Sequence, residues 1–325
     1  MFKQFVLAAL LVLASTLALA QDLIGTITIL EGDALVYRGP GRVQAAEGVR
    51  LGAGDIIEMG GTGFMQIELP DKTVLQIGPQ SRALLNASSA RPKPERSIYV
   101  LEGWFKVSAD KRDAKGGPGL DLRSPLLEIP AQEGALVIKI AATDVAAFAE
   151  SAEAKIVERQ ASGVALPVSL RLGDLYVRKA GTKGIVDPSG RSAFLTGMPA
   201  VFKDSLPSRI DRYRDKPVTP KAGSEFSYTD IEPWLKSDPA MRKQFVQRWR
   251  AKATDPAFRA ALIANLNGHP EWDPILYPEK YLPKPPPPPP VARQEPEAPR
   301  VATPATPPTA TSLPSPIQSL PPPTQ

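Results

Sequence analysis

Short runs of alternating apolar and polar residues, separated by turns rich in glycine and aspartate, constrain the fold of this chain more than any other feature. In residues 64–69 the apolar Met65, Ile67 and Leu69 alternate with polar residues. A period of two is typical of a half-buried strand. The pattern returns in residues 73–77 after a Pro-Asp turn, so 64–69 and 73–77 are predicted to form a hairpin.

Similar short apolar runs occur through residues 21–205. The further candidate strands are 25–30, 34–37, 98–101, 104–108, 137–140 and 175–178. Strands this short, at this spacing, predict a mainly β fold, as a β-sandwich or a β-roll of short strands. Gly32, Gly103 and Gly173 recur at even spacing within similar short motifs. They predict tight turns with positive φ between strands, and a duplicated unit or one continuous domain both remain open.

Residues 206–282 carry helical signals. Ser237 to Pro239 and Thr254 to Pro256 each place a capping side chain before a proline in the first helical turn. Between them Met241, Phe245 and Trp249 form one apolar stripe at helical spacing. These features predict a small α-helical hairpin that packs on itself or on the β region. The aromatic residues of 271–281 are predicted to form an extended strap over the hairpin, and a sugar-binding strip is the alternative.

The two ends of the chain differ from the rest in composition. Residues 1–20 combine a lysine, an apolar run and Ala18-Leu19-Ala20, which predicts a signal peptide cleaved before Gln21; an uncleaved anchor is the alternative. Residues 283–325 include the unbroken proline run 285–290 and few large apolar residues. Such a segment is predicted to be disordered and extended, and to act either as a spacer or as a ligand for a partner.

The residue counts exclude several kinds of chemistry. The chain of 325 residues has no cysteine and one histidine, which excludes disulfides, thiol nucleophiles and Cys/His metal sites. A net charge of +5, from 39 basic and 34 acidic residues, gives no sign of nucleic-acid binding. The glycine run at 60–63 lacks a P-loop lysine and is predicted to be a hairpin turn. We therefore expect no enzyme activity and no cofactor.

One helix offers a candidate partner-binding surface. The basic residues of the first predicted helix and its end are Arg242, Lys243, Arg248, Arg250 and Lys252. One interpretation is a basic face that binds anionic partners such as wall polymers, lipid headgroups or an acidic protein. The other is an ordinary solvated face, with cations favoured near the helix C-terminus. The lone histidine, His269, is predicted to lie in a surface loop, and the acids Asp33, Asp55, Asp71 and Asp174 are predicted to cap turns.

Several motifs together resemble the FecR-type domain. They are the strand and turn of residues 25–32, Leu51-Gly52-Ala53-Gly54-Asp55 followed by Ile56, the alternating strand 64–69, Gly78-Pro79 and Leu101-Glu102-Gly103. The resemblance covers 25–108 well and 120–180 loosely. Asp71-Lys72 stands where the family has Asp-Gly, and Glu58-Met59 where it has a threonine.

The resemblance implies a periplasmic domain without catalytic residues. The namesake regulators of iron uptake carry a cytoplasmic arm that touches a sigma factor, and here only four residues precede the apolar run. The sequence therefore predicts a stand-alone version without the anti-sigma arm, periplasmic or secreted. It would be a binding or scaffold protein of the bacterial cell envelope that engages an envelope protein or a wall polymer. A periplasmic component of transmembrane signalling or of metal-uptake regulation is the alternative.

Overall fold

Strands account for most of the regular structure, as the alternating sequence pattern predicts. The computed structural model describes residues 23–88, 95–110, 119–160 and 162–282. The predicted signal peptide at 1–20 and the predicted tail at 283–325 lie outside these residues. The strands are β1 (Leu23–Arg38), β2 (Gly41–Gln44), β3 (Arg50–Gly52), β4 (Ile56–Glu68), β5 (Val74–Ile77), β6 (Arg82–Ser88), β7 (Glu95–Ala109), β8 (Leu120–Arg123), β9 (Leu127–Ile129), β10 (Gly134–Ile140), β11 (Asp144–Ala149), β12 (Ala154–Arg159), β13 (Ala165–Leu170), β14 (Leu175–Lys179) and β15 (Ile185–Val186).

All of these strands join one sheet, in which β7 connects two halves. On one side β1 pairs with β2, β3 and β4, and β4 pairs with β5 and β6, which both pair with β7. On the other side β7 pairs with β8 and β10. From there one limb runs β8-β9-β12-β13 and the other β10-β11-β14-β15. The described pairs are antiparallel except β7 with β8, and the predicted hairpin of β4 and β5 is confirmed.

Strands β1, β4 and β7 are longer than predicted, because each bends at a glycine and continues instead of ending there. Gly32 and Gly103 have φ of 74° and 113°, as predicted, but they lie inside β1 and β7 and not between separate strands. The predicted hairpin turn at 60–63 is also wrong, because β4 continues through it beside the bend of β1. Gly173, with φ of 81°, does lie in a turn, before β14.

Alternate residues of the sheet build different hydrophobic clusters. The inner face forms the largest cluster, with Val36, Ile57 and Ile138 among its members. Outward-facing neighbours such as Tyr37 and Ile56 contribute to a second cluster with the C-terminal helices. Others contribute to a third cluster under the segment that follows β15. Many strands are therefore buried on both faces, so strict apolar-polar alternation covers only part of the sheet.

The C-terminal helices form a larger layer than the predicted hairpin. The helices are α1 (Arg191–Gly197), α2 (Tyr228–Leu235), α3 (Pro239–Arg248), α4 (Pro256–Ala264) and α5 (Asp273–Leu276), with short 3-10 helices between them. The predicted pair corresponds to α3 and α4. Their caps are Asp238, which accepts from the amide of Ala240, and Asp255, which accepts from that of Phe258; Ser237 bonds to the Trp234 carbonyl instead.

The helical layer is anchored to the sheet by buried aromatic rings. Phe245 and Trp249 are fully buried and their ring centroids lie 5.0 Å apart. Phe226 links them to the sheet, with its ring 6.0 Å from Trp249 and 5.4 Å from Tyr37. The segment predicted as an extended strap does pack on the helices through the buried Trp272, but it is helical and not extended: α5 lies between two short 3-10 helices. Within the described residues, the helices lack the length and apolarity needed to cross a membrane.

Candidate binding groove

One row of side chains crosses the limb β10-β11-β14-β15 on its outer face. The strand register places Trp104 opposite Lys139, Lys139 opposite Ala146, Ala146 opposite Val177, and Val177 opposite Ile185. Directly paired residues of an antiparallel sheet project to the same face. The row therefore presents an aromatic ring, a cation, a small residue and two aliphatic residues in that order.

The neighbouring row on the same face is covered. Val137, Phe148 and Leu175 are paired with one another across β10, β11 and β14, and all three are buried. Phe194 of α1 packs over this row, with its ring 6.0 Å from that of Phe148, and Phe202 joins the same cluster. The cover stops there, so the row that contains Ala146 stays open.

The open row is the floor of a cavity of about 480 Å³, which we call the basic groove. Its floor includes Ala146 and Val177, both partly buried, and its outer end includes Ile185, which is 60% exposed. The cavity is of the size at which proteins bind small molecules or a short peptide segment. Ala146, a small side chain between Lys139 and Val177, forms part of this floor.

The rim of the basic groove is positively charged. Lys139, Lys179 and Lys183 are exposed around it, and Asp144 is the one acid among its lining residues. The fourth basic residue, Arg178, is buried and serves the network described next. An adjoining cavity of about 530 Å³ shares Lys139 with the groove, but there Arg82 is paired with Glu102. The rim of the basic groove therefore carries a net positive charge, with three lysines to one aspartate.

A buried network fixes the wall that carries Lys183. Arg178 donates to the carbonyls of Leu126 (2.6 Å) and Arg159 (2.8 Å) on the opposite limb, and to that of Thr182 (3.0 Å). Its partner acid is Glu158, whose Oε1 lies 3.6 Å from the Arg178 Nε. Arg178 thereby joins the two limbs of the sheet and holds the 182–184 loop.

Glu158 holds the same loop from inside. Its Oε2 accepts hydrogen bonds from the Tyr176 hydroxyl (3.0 Å) and the Gly184 amide (3.1 Å). Burial, and next the hydrogen bond to Glu158, raise the pKa of Tyr176, which therefore stays a neutral donor. A Cβ at Gly184 would meet the Tyr176 hydroxyl at 2.1 Å, so only glycine fits there. The rim at Lys183 is a fixed feature of the groove.

The Trp104 end of the row is already occupied. The Lys139 ammonium lies 5.1 Å from the centroid of the Trp104 ring, and the Phe194 ring lies 5.1 Å from it on a tilted plane. These contacts position Lys139 at the edge of the groove by a cation-π interaction. They also occupy part of the Trp104 ring with contacts from within the protein.

The five basic residues predicted as one binding face have divided roles. Arg242 pairs with Glu271 and donates to the Gly268 carbonyl at 2.8 Å. Arg248 donates to the carbonyls of Tyr37, Gly39 and Gly54, which connects α3 to the sheet, and burial lowers its pKa to about 10.

The other three basic residues lie further out. Lys252 pairs with Glu225 and lies 4.6 Å from the centroid of the Phe226 ring. Lys243 and Arg250 are exposed. Partner binding by the five residues stays a prediction, as the alternative to binding in the basic groove, and its exposed part rests on Lys243 and Arg250.

The prediction of a surface loop for His269 is wrong. The side chain is fully buried among the helices, and its Nε2 lies 3.0 Å from the Tyr228 hydroxyl. Burial lowers its pKa, and the nearby Lys236 and Arg242 act in the same direction. The Gly-His-Pro context indicates a loop, but nothing local shows that α2 packs over it.

Three of the four acids accept a hydrogen bond from a nearby backbone amide, as predicted, although Asp55 also pairs with Arg38 and Asp71 with Arg96. Asp55 accepts from the Gly52 amide, Asp71 from that of Thr73, and Asp174 from that of Arg171. Within the part of the chain that the structure describes, no three acidic or histidine side chains cluster as a metal site.

Sequence reasoning missed the basic groove, although a signal was present. The strand at 175–178 was identified, and Lys179 and Lys183 follow it directly. Their convergence with Lys139 depends on β10 and β14 both pairing with β11, and on the cover by α1 ending short of this row. Both facts are tertiary.

Among known proteins, only a weak structural similarity is found. No family model matches the chain and no curated protein matches it. Two crystal structures, at 2.50 and 1.65 Å, of a "putative anti-sigma factor" from Parabacteroides distasonis ATCC 8503 are similar to part of it. Both are 14% identical, with TM-scores of 0.34 and 0.33, and the similarity covers 44% of this chain. This chain spans 64% and 65% of those chains, less than two thirds of their length.

Proposed function

We propose that this chain is an exported binding or scaffold protein of the bacterial cell envelope, and that the basic groove is its binding surface. The observation that supports the proposal is the open cross-strand row Lys139-Ala146-Val177-Ile185 beside a row that is buried under α1 and the segment after it. An open row of a sheet with cations at its rim, next to a row that the same protein covers, is a surface suited to a partner.

The groove suits binding better than catalysis. Its exposed charged residues are three lysines and Asp144. Asp144 is paired with Lys179 across the ladder and accepts from Thr143 at 3.3 Å, so it has a local structural role. The buried carboxylate of Glu158 is held by Arg178, Tyr176 and the Gly184 amide. We therefore assign the lining residues to recognition and propose a protein that is not an enzyme and needs no cofactor.

Export to the periplasm or beyond is supported by the sequence. The lysine, apolar run and Ala-Leu-Ala of residues 1–20 are typical of a signal peptide. The absence of cysteine is compatible with an exported chain, because the buried clusters supply the core that disulfides supply in small exported domains. The FecR-type resemblance of residues 25–108 also favours a periplasmic location.

The same resemblance supports the second candidate, a periplasmic component of transmembrane signalling or metal-uptake regulation. The two candidates differ in the partner that the chain contacts. A scaffold protein contacts envelope structural proteins, wall enzymes or wall polymer. A signalling component contacts an outer-membrane receptor or an inner-membrane sensor.

Crosslinking in the native cells tests the proposal. A photoreactive amino acid is placed at Lys183, on the rim of the basic groove, or at Lys243, on the exposed face of α3, and captured molecules are identified by mass spectrometry. We expect a reproducible envelope partner from Lys183 and none from Lys243. The same partner from both positions, or capture from Lys243 alone, would contradict the groove as the binding surface. The identity of the partner then separates the scaffold from the signalling candidate.

A further inference from the structure

We propose that the occupant of the basic groove is an extended segment of a partner protein, with two acidic residues on either side of an apolar one. This inference rests on the function proposed above and names the class of ligand. It follows from three properties of the groove: where its cations lie, what its floor is made of, and which other ligands its shape disfavours.

The cations are spaced for acids of an extended chain. Lys139 and Lys179 are separated by two strand spacings and two residues along the strand. With strands about 4.8 Å apart and a rise of about 3.3 Å per residue, their Cα atoms are about 12 Å apart. Acidic residues four positions apart in an extended peptide are separated by about 13 Å. Such a pair, and the residue midway between them, project to one side of the peptide.

The line that joins the two cations has apolar floor on one side, formed by Ala146 and Val177, and Asp144 on the other. Ala146 and Val177 are adjacent in the ladder and lie between Lys139 and Ile185. An aliphatic side chain of the peptide would contact both residues while the flanking carboxylates reach the lysines. Asp144, on the rim beside Lys179, disfavours a second acid at intermediate spacing. The order acid, apolar, acid is therefore the pattern that fits.

Two other classes of envelope ligand fit less well. A neutral glycan is bound through an exposed aromatic face, and both Lys139 and Phe194 already contact the ring of Trp104. The acyl chains of an anionic lipid need a wide apolar surface, and here the floor is limited by α1 on one side and by lysines on the other. A peptide needs only one apolar contact and two ionic ones.

A designed peptide tests the inference on the full exported chain. The probe is fluorescently labelled Ser-Glu-Ser-Leu-Ser-Glu-Ser, in which the two glutamates and the leucine share one face, and the control is Ser-Lys-Ser-Leu-Ser-Lys-Ser. Binding is measured by fluorescence anisotropy at low salt and at about 0.3 M salt. We expect saturable binding of the acidic probe that weakens with salt, and no binding of the basic control.

Matched double variants locate the site. Lys179→Glu with Lys183→Glu reverses the charge of two residues on the rim of the groove. Lys243→Glu with Arg250→Glu makes the same change in charge on the exposed face of the helical layer. We expect the groove pair to weaken binding roughly tenfold or more, and the helix pair to leave it within about twofold. Ala146→Leu, which fills the floor without changing charge, should also weaken binding. Circular dichroism confirms that each variant is folded.

Each other outcome overturns the inference. Equal loss in both double variants would mean a nonspecific charge effect, and no binding of the acidic probe would exclude this ligand class. If fragments of wall glycan or vesicles containing phosphatidylglycerol bind through the groove and the peptide does not, the proposed function stands and the peptide is wrong. If the Lys183 crosslinker also captures nothing in cells, the proposed function fails as well.

Discussion

Arg248 and Arg250 are close in sequence and have the same chemistry, yet the fold gives them opposite roles. Arg248 is turned toward the sheet and donates to the carbonyls of Tyr37, Gly39 and Gly54 at 2.5 to 2.8 Å. Arg250 is exposed. Helical spacing predicts which basic residues share a face. It does not predict which of them will pack against carbonyl groups of a neighbouring sheet. The sequence could therefore suggest a basic face but could not separate structural arginines from available ones.

Replacing Arg248 tests this division. Arg248→Met keeps the long aliphatic stem and leaves three carbonyls without their donor, so we expect the free energy of unfolding to fall by about 2 to 4 kcal/mol. Arg250→Met changes the same side chain at an exposed position and should stay within about 0.5 kcal/mol of the unmodified protein. Urea unfolding measures both. Similar effects of the two changes would show that Arg248 does not anchor α3 to the sheet.

His269 gives the fold a dependence on pH. Burial lowers its pKa, so the folded state binds the proton less readily than the unfolded chain, in which the pKa is about 6.5. The contribution of His269 to the free energy of unfolding is intact above that pH. As the pH falls below it, the free energy of unfolding decreases with a slope of at most about 1.4 kcal/mol per pH unit. In His269→Gln, which can still bond to the Tyr228 hydroxyl, this part of the slope should be absent. Unfolding followed between about pH 8 and pH 5 measures both slopes, and equal slopes would contradict the assignment.

At the scale of elements, glycines decide where long strands bend. Gly32 and Gly103 have positive φ and allow β1 and β7 to continue through a bend, so that the halves of β7 pair with different strands. The sequence indicates the backbone conformation at these glycines. It does not indicate whether the chain turns back or continues, because that depends on partner strands far away in sequence.

Two alanine substitutions separate the conformational cost from the steric one. Gly103→Ala would place its Cβ 2.4 Å from the Ser81 Cα, while Gly181, with φ of 77°, has no atom within 4 Å of that position. We expect Gly103→Ala to lower the free energy of unfolding by about 3 kcal/mol or more, and Gly181→Ala by about 1 kcal/mol. Chemical denaturation of both variants provides the comparison. A similar loss in both would mean that β7 can shift away from Ser81 at little cost.

For the whole molecule, the sequence predicts the fold class better than the surface. Alternating runs such as 64–69 predict a mainly β chain, and the caps before Pro239 and Pro256 predict α3 and α4. Helix α2 was missed because Pro233 lies inside it, which local rules disfavour. The basic groove was missed because it arises from the register of four strands and from where α1 ends.

The described residues through Tyr281 form one compact unit that contains all three hydrophobic clusters. A chain that ends at Leu282 should therefore unfold with the same free energy as the full chain, within about 0.5 kcal/mol. It should also retain binding of the acidic probe. Urea unfolding and fluorescence anisotropy on the two chains measure these properties. A loss of more than about 1 kcal/mol would show that residues 283–325 contribute to the fold.

The central claim, that the open row of the sheet is where a partner binds, is tested most directly by filling it in cells. The photoreactive residue stays at Lys183, and Ala146 is either kept or changed to leucine, which occupies the floor without altering charge. The account predicts that Ala146→Leu reduces capture of the envelope partner severalfold at equal protein level. Undiminished capture from the filled groove would show that the partner binds elsewhere and would contradict the account.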